Sequence, residues 1–224
     1  MVCDKVRIRF RKSGDLRLIS HHDLMRCFER MLRRAALPFH STSGFNPKPR
    51  LIFAMPLPLG TSGSGEIVEL ELDQDVPPHE VRERLAREAP QGLEIVSVER
   101  IAPKTTAHVR KASYRIALDV GDHAALPERI TALLANQECW IERERPQHKR
   151  INARPYLDGL RLTPDALEVD LLVTPNGSIR PDEVLQLLEL TEVLESGVLI
   201  ERTGLDIEEP TPAELPAVEH SSPF

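Results

Sequence analysis

Three groups of residues have types and spacings that can do chemistry. Ser20-His21-His22-Asp23 places two imidazoles beside a carboxylate, a set that can transfer protons or hold a metal. Adjacent helical residues point about 100° apart, however, so two neighbouring imidazoles reach one metal poorly, and no metal site is expected. His22, and His40 further on, remain the only candidates for acid/base work. His21 falls near the apolar side, where packing explains it. The second group is a stripe of arginines. At 100° per residue Arg26, Arg30, Arg33 and Arg34 lie within about 100° of one another, opposite Leu24, Cys27, Phe28, Met31, Leu32 and Ala35. With Glu29 the one acid among them, their fork-shaped donors can hold several phosphates; the alternative is an ordinary solvated face. The third is Ser43-Gly44-Phe45-Asn46-Pro47-Lys48-Pro49-Arg50, where two prolines enforce an extended arm, Gly44 permits a turn, and Lys48 and Arg50 project as cations.

Other charged stretches are weaker. Arg7, Arg9 and Arg11 resemble a nucleic-acid face, but Glu69 and Glu71 lie on what should be the neighbouring strand, and cross-strand pairing explains both rows. Thr61-Ser62-Gly63-Ser64-Gly65 before Glu66 can offer backbone amides to an anion, but it lacks the lysine of a P-loop. Arg143, Arg145, His148, Lys149, Arg150 and Arg154 form a second basic cluster, broken among the charges only by Glu144.

The elements that must position these groups follow from periodicity. Val6, Ile8 and Phe10 alternate with arginines and predict a strand. Ser20 caps a helix that Pro38 ends. Arg50–Met55 predicts a strand, Pro56 to Gly65 a loop, Ile67–Leu72 a strand, Pro77 to about Glu88 a helix and Leu93–Ile101 a strand. This β-α-β-β-α-β order is the ferredoxin-like unit. Residues 103–204 are expected to repeat it, with strands at Tyr114–Val120, Cys139–Glu144, Leu167–Val173 and Val198–Arg202 and helices opening near Pro127 and Pro181. The fold class is therefore α+β: two tandem ferredoxin-like units over residues 1–102 and 103–204, antiparallel sheets with helices on one face and a cleft between. Residues 205–224 are acidic and proline-rich and predict a disordered tail.

Composition bounds the function. The chain has 224 residues and a net charge of −6, yet residues 1–50 carry 12 basic against 4 acidic residues, leaving −14 on the remainder. Such asymmetry points to a localised anionic partner, or to neutralisation within the fold. Aromatics are only 4%, against a base-stacking platform, and glycines only 11, against a glycine-rich nucleotide cradle. Cys3, Cys27 and Cys139 are too few and scattered for a disulfide framework, a zinc site or an iron–sulfur cluster. With no membrane span or signal-peptide pattern, a cytoplasmic protein without a cofactor is expected.

Several motifs recur together in an order that resembles a known family. They are Phe10 with Lys12 and Gly14; Ser20-His21-His22-Asp23 with Arg26; Arg33-Arg34-Ala35 and Leu37-Pro38; Ser43 to Pro49; Glu66; Lys149-Arg150-Ile151-Asn152-Ala153-Arg154-Pro155; and Ile179-Arg180-Pro181. Together they resemble the bacterial radical-SAM-linked protein family, the DUF2344 domain, over roughly residues 5–205. Where that family usually has His-Leu-Asp, this chain has His21-His22-Asp23, and its Ile-Asp is replaced by Ile151-Asn152-Ala153. The resemblance implies a radical SAM enzyme as partner. The chain lacks the C-x-x-x-C-x-x-C motif, so it is expected to be the separate, unfused partner. The resulting expectation is a non-catalytic accessory protein that presents a structured RNA, such as a tRNA, with Arg26, Arg30, Arg33, Arg34, Lys48 and Arg50 on phosphate. The alternatives are a metal-independent endoribonuclease using His22 or His40, and a purely protein-binding scaffold.

Overall fold

In a computed structural model, residues 4–118, 123–144 and 148–208 are described. The first half runs β1 (Asp4–Lys12), α1 (His21–Arg34), β2 (Leu51–Phe53), β3 (Thr61–Leu72), α2 (Pro78–Glu88) and β4 (Leu93–Ile101). Val6, Ile8 and Phe10 of β1 and Val68, Leu70 and Leu72 of β3 point to one face, where they meet Leu24, Phe28, Met31 and Leu32 of α1 and Val81 and Leu85 of α2. Phe10, Phe28 and Phe53 form an edge-to-face trio with centroids 5.0–6.1 Å apart. Removing a buried Phe of this kind costs about 3–5 kcal/mol. Ser20 starts α1 by accepting the Asp23 amide at 3.2 Å. At the start of β4 the close approach of Ser13 requires glycine: Gly92 has φ +88° and an added Cβ would lie 2.5 Å from the Ser13 carbonyl.

The second half runs β5 (His108–Ala117), α3 (Leu126–Ala135), β6 (Trp140–Arg143), β7 (Lys149–Asn152), β8 (Leu157–Thr163), β9 (Ala166–Leu172), α4 (Pro181–Leu187), α5 (Thr191–Glu195) and β10 (Ile200–Glu208). Its core gathers Tyr114, Ile116, Leu167, Val169 and Leu171 from strands and Leu126, Ile130, Val184 and Leu185 from helices. The strand order is β4-β1-β3-β10-β5-β9-β8, with β2 also on β3. In each half the first strand therefore lies between two later ones, β1 between β4 and β3, β5 between β10 and β9. Every pairing in this sheet is antiparallel except β10 with β3.

Five expectations are corrected. The halves do not carry two separate sheets: β3 is long enough to pair β2 through residues 68–70 and β10 through residues 61–63 on the same edge, which joins them into one eight-stranded sheet. Cys139–Glu144 is not a strand of that sheet, because β6 pairs β7 in a separate hairpin and β8 takes the place beside β9. Leu205–Glu208 is not tail but sheet, since β10 continues there along β5; residues 209–224 lie outside the described residues. Thr61–Gly65 is not an amide-offering loop, because it is the start of β3, and Gly63 pairs Lys12 on one side and Arg202 on the other. The strand expected at Tyr114–Val120 starts earlier, at His108, and Asp119 and Val120 lie outside the described residues.

Candidate functional site

Helix α1 and the arm after it are brought together on one surface. The arginine stripe faces outward, as its angular position dictates: Arg26, Arg30, Arg33 and Arg34 are exposed while Leu24, Cys27, Phe28, Met31 and Leu32 are buried. Part of this charge is used at home. Arg26 pairs with Asp23 at 3.3 Å, Arg34 with Glu88 at 3.3 Å, and Arg50 with Glu71 at 3.1 Å. Among the described residues Arg30, Arg33 and Lys48 have no carboxylate partner. Arg33 stacks on Phe39 at 5.6 Å and donates to the Pro47 carbonyl at 3.2 Å, which ties the arm to the stripe.

The arm is a narrow excursion closed at its base. Ser41 bridges Pro49, the Thr42 amide donates to the Lys48 carbonyl at 2.9 Å, and the Lys48 amide returns to Thr42 Oγ1 at 3.2 Å. Ser43, Gly44, Phe45, Asn46, Pro47 and Lys48 are all exposed, whereas Pro49 is buried. Gly44 has φ +138°, a backbone region glycine alone adopts readily. Between arm and helix runs a groove of about 320 Å³ lined by Met25 and Glu29 of α1, Thr42, Lys48 and Arg50 of the arm, and Ile52 of β2.

The histidines separate. His22 is exposed, and His21 and His22 have ring centroids 6.3 Å apart and tilted. His21 turns inward, edge-on to Phe53 at 5.1 Å, and its Nδ1 is buried without a hydrogen-bond partner. Burial, aided by His22, Lys12 and Arg202, holds its imidazole below the ordinary histidine range. The Asp73 carboxylate accepts from His40 Nδ1 across 2.7 Å. Asp23, hydrogen-bonded by the Ser20 hydroxyl, titrates below the usual carboxylate range.

Glu66, which the sequence tied only to a motif, anchors a buried ionic seam that sequence reasoning missed. Arg202 of β10 is fully buried and donates to Glu66 Oε1 at 2.8 Å with a second bond to Oε2, and further to the Met55 carbonyl at 2.9 Å and the Pro56 carbonyl at 3.2 Å. The Glu66 carboxylate lies over Gly63, where a Cβ would sit 2.5 Å from Oε1. Lys12, also fully buried, donates to the carbonyls of Arg17 and Ile19, and burial lowers its ammonium despite the opposing pull of Glu66. Tyr114 of β5 completes the seam, its phenol pushed up by burial. No local pattern flags Arg202, whose partner lies 136 residues earlier. On the opposite sheet face, Arg7 and Lys5 both meet Glu69, at 3.2 and 2.8 Å. The Arg7 part of the expected cross-strand pairing is thus present; Arg11 instead reaches Glu94 on β4.

The second basic cluster divides too. Lys149 and Arg150 are exposed on β7, with Arg150 4.5 Å above the Trp140 ring. Arg154 folds back to the Leu157 carbonyl at 3.1 Å. Arg143 turns inward onto Glu183, its Nε and Nη2 donating to the two carboxylate oxygens at 2.7 and 2.8 Å, and Arg145 lies outside the described residues. Glu142, Glu144 and His148 bring ligating atoms within 4.8 Å of one another, all on exposed side chains.

The fold is a mixed α+β domain with a large, mostly antiparallel sheet, and no helix among the described residues is long and apolar enough to cross a membrane. Residues 5–181 match the family described as an uncharacterized protein conserved in bacteria, DUF2344, and the chain belongs to that family. No curated protein matches it. Among solved structures, one titled as an unknown protein from Galdieria sulphuraria aligns over 93% of this chain and 99% of its own, at 14% identity and a TM-score of 0.28.

Proposed function

We propose that the chain is a non-catalytic accessory protein that presents a structured RNA, of the tRNA kind, to a radical SAM enzyme. In this reading each half is one ferredoxin-like unit, supported by the matching strand orders, and the shared sheet is a rigid support for the basic surface. One observation carries the RNA reading. The Arg33–Pro47 contact joins stripe and arm into one cationic surface on which, among the described residues, Arg30, Arg33 and Lys48 have no carboxylate partner. The enzyme partner rests on the family resemblance.

Phosphate contacts release counterions, so affinity for RNA should fall with salt by about 0.7 log units per decade for each single-stranded phosphate neutralised. Three to five phosphates give a slope of about −2 to −3.5. Arg30→Gln with Lys48→Gln should flatten it by about 1 or more while leaving stability within about 0.5 kcal/mol, as exposed substitutions do. Fluorescence anisotropy on a short hairpin RNA, beside thermal melts, reads both; an unchanged slope removes the RNA reading. A pull-down with a radical SAM enzyme of the same organism that yields no complex, with or without RNA, removes the partner. The oriented His40–Asp73 pair is the one feature favouring an endoribonuclease. Metal-free cleavage of total RNA that disappears in His40→Ala would replace the accessory role with that one.

A further inference from the structure

Phe45 stands at the tip of the arm with its side chain fully exposed, in a chain whose other described phenylalanines are buried or half-buried. Leaving a Phe in water forgoes about 1.5–3 kcal/mol of burial, so its position calls for a partner. We propose that Phe45 is a stacking post for an unpaired nucleobase, with Lys48 and Arg50 holding the adjoining phosphates along the groove; this rests on the RNA reading above.

Four features favour a base over a protein surface. The tip is held by the Thr42–Lys48 bonds, two prolines and the Arg33 contact, so little conformational freedom is lost on stacking. Its neighbours Ser43, Gly44, Asn46 and Pro47 are small or polar and exposed, whereas an aromatic hot spot for a protein is ringed by packed contacts that exclude water. Both ring faces are open, unlike Trp140, where Arg150 already covers one. Lys48 follows three residues later, at most about 11 Å away along the chain, so base and backbone of one nucleotide segment can be held together. The low aromatic content still excludes a multi-base platform. One post reading one splayed base fits both the composition and the placement.

A fluorescent single-stranded RNA oligonucleotide and a blunt duplex of the same sequence, titrated into the full chain by anisotropy, test this. The wild type should favour the single strand. Phe45→Ala should weaken single-strand binding about fivefold to a hundredfold, with duplex binding and melting temperature unchanged, and Phe45→Trp should restore it. A 2-aminopurine in the oligonucleotide should be quenched on binding the wild type and not Phe45→Ala. If the wild type binds and Phe45→Ala binds equally well, the stacking post is overturned while the RNA surface stands. If the wild type binds neither RNA, both fall. Normal RNA binding by Phe45→Ala together with loss of the radical SAM enzyme in a pull-down would make the tip a protein contact instead.

Discussion

Replacing Glu66 by Gln removes the carboxylate that, among the described residues, meets Arg202 and opposes the desolvation of Lys12. Both cations are fully buried, so neither can turn to water. Breaking a buried pair costs about 3–5 kcal/mol because it leaves an uncompensated charge. With two cations stranded, Glu66→Gln should fall at the upper end, about 5 kcal/mol, a drop of about 10–20 °C at 2–4 °C per kcal/mol for a chain of this size. Its pH dependence has a sign. In the folded variant the lysine, already below its unfolded value through burial, loses the raising influence of Glu66 and drops further. The folded state then binds fewer protons, so the variant should regain stability as pH rises from the folded lysine value towards the unfolded lysine range. Adding Arg202→Met to Glu66→Gln should cost less than the two single losses combined, since one stranded charge is removed with its partner. Urea unfolding at neutral and mildly alkaline pH measures all three quantities. A loss under about 1 kcal/mol for Glu66→Gln, or full additivity, would refute the reasoning.

His21 should titrate below 6.5, so it charges in the unfolded chain first. Its contribution then declines as pH falls from about 6.5 towards the folded value and levels off below it; NMR titration showing His21 above 6.5 would contradict this, and His21→Asn should flatten the acid limb of stability. Cys27 and Cys139 are buried with thiols raised by burial, so in a Cys3→Ser variant a thiol reagent should react slowly when folded and rapidly in urea.

Much of the first half was legible because its signals are local. The alternation of Val6, Ile8 and Phe10 and the Ser20 cap depend on neighbours a few residues away, and the outward arginines of α1 follow from helical geometry. The second half was less so. Trp140–Arg143 alternates like any strand, and nothing in four residues tells a detached hairpin from a sheet member, while Gly159 and Arg161 mask the strand at Leu157–Thr163. The site divides along the same line. The stripe and arm were legible as cationic segments, but the contact joining them is a carbonyl accepting from a side chain, which no pattern encodes. Arg202 was invisible because an arginine is almost never fully buried unless paired. Its partner came from the middle of β3, in the other half of the chain.

The parallel seating of β10 on β3 has a consequence for the order of events during synthesis. Thr61 of β3 meets Ile200, so a ribosome must add well over a hundred residues after one lip of this seam before the other exists. Until then β3 and β5 each hold an unpaired run of amides and carbonyls, a template that stray strands can occupy. Closing so long a chain segment slows folding relative to local contacts. The nascent protein therefore passes through a stage in which its Glu66 carboxylate waits for an arginine not yet made. Chaperone dependence and aggregation should concentrate in that interval.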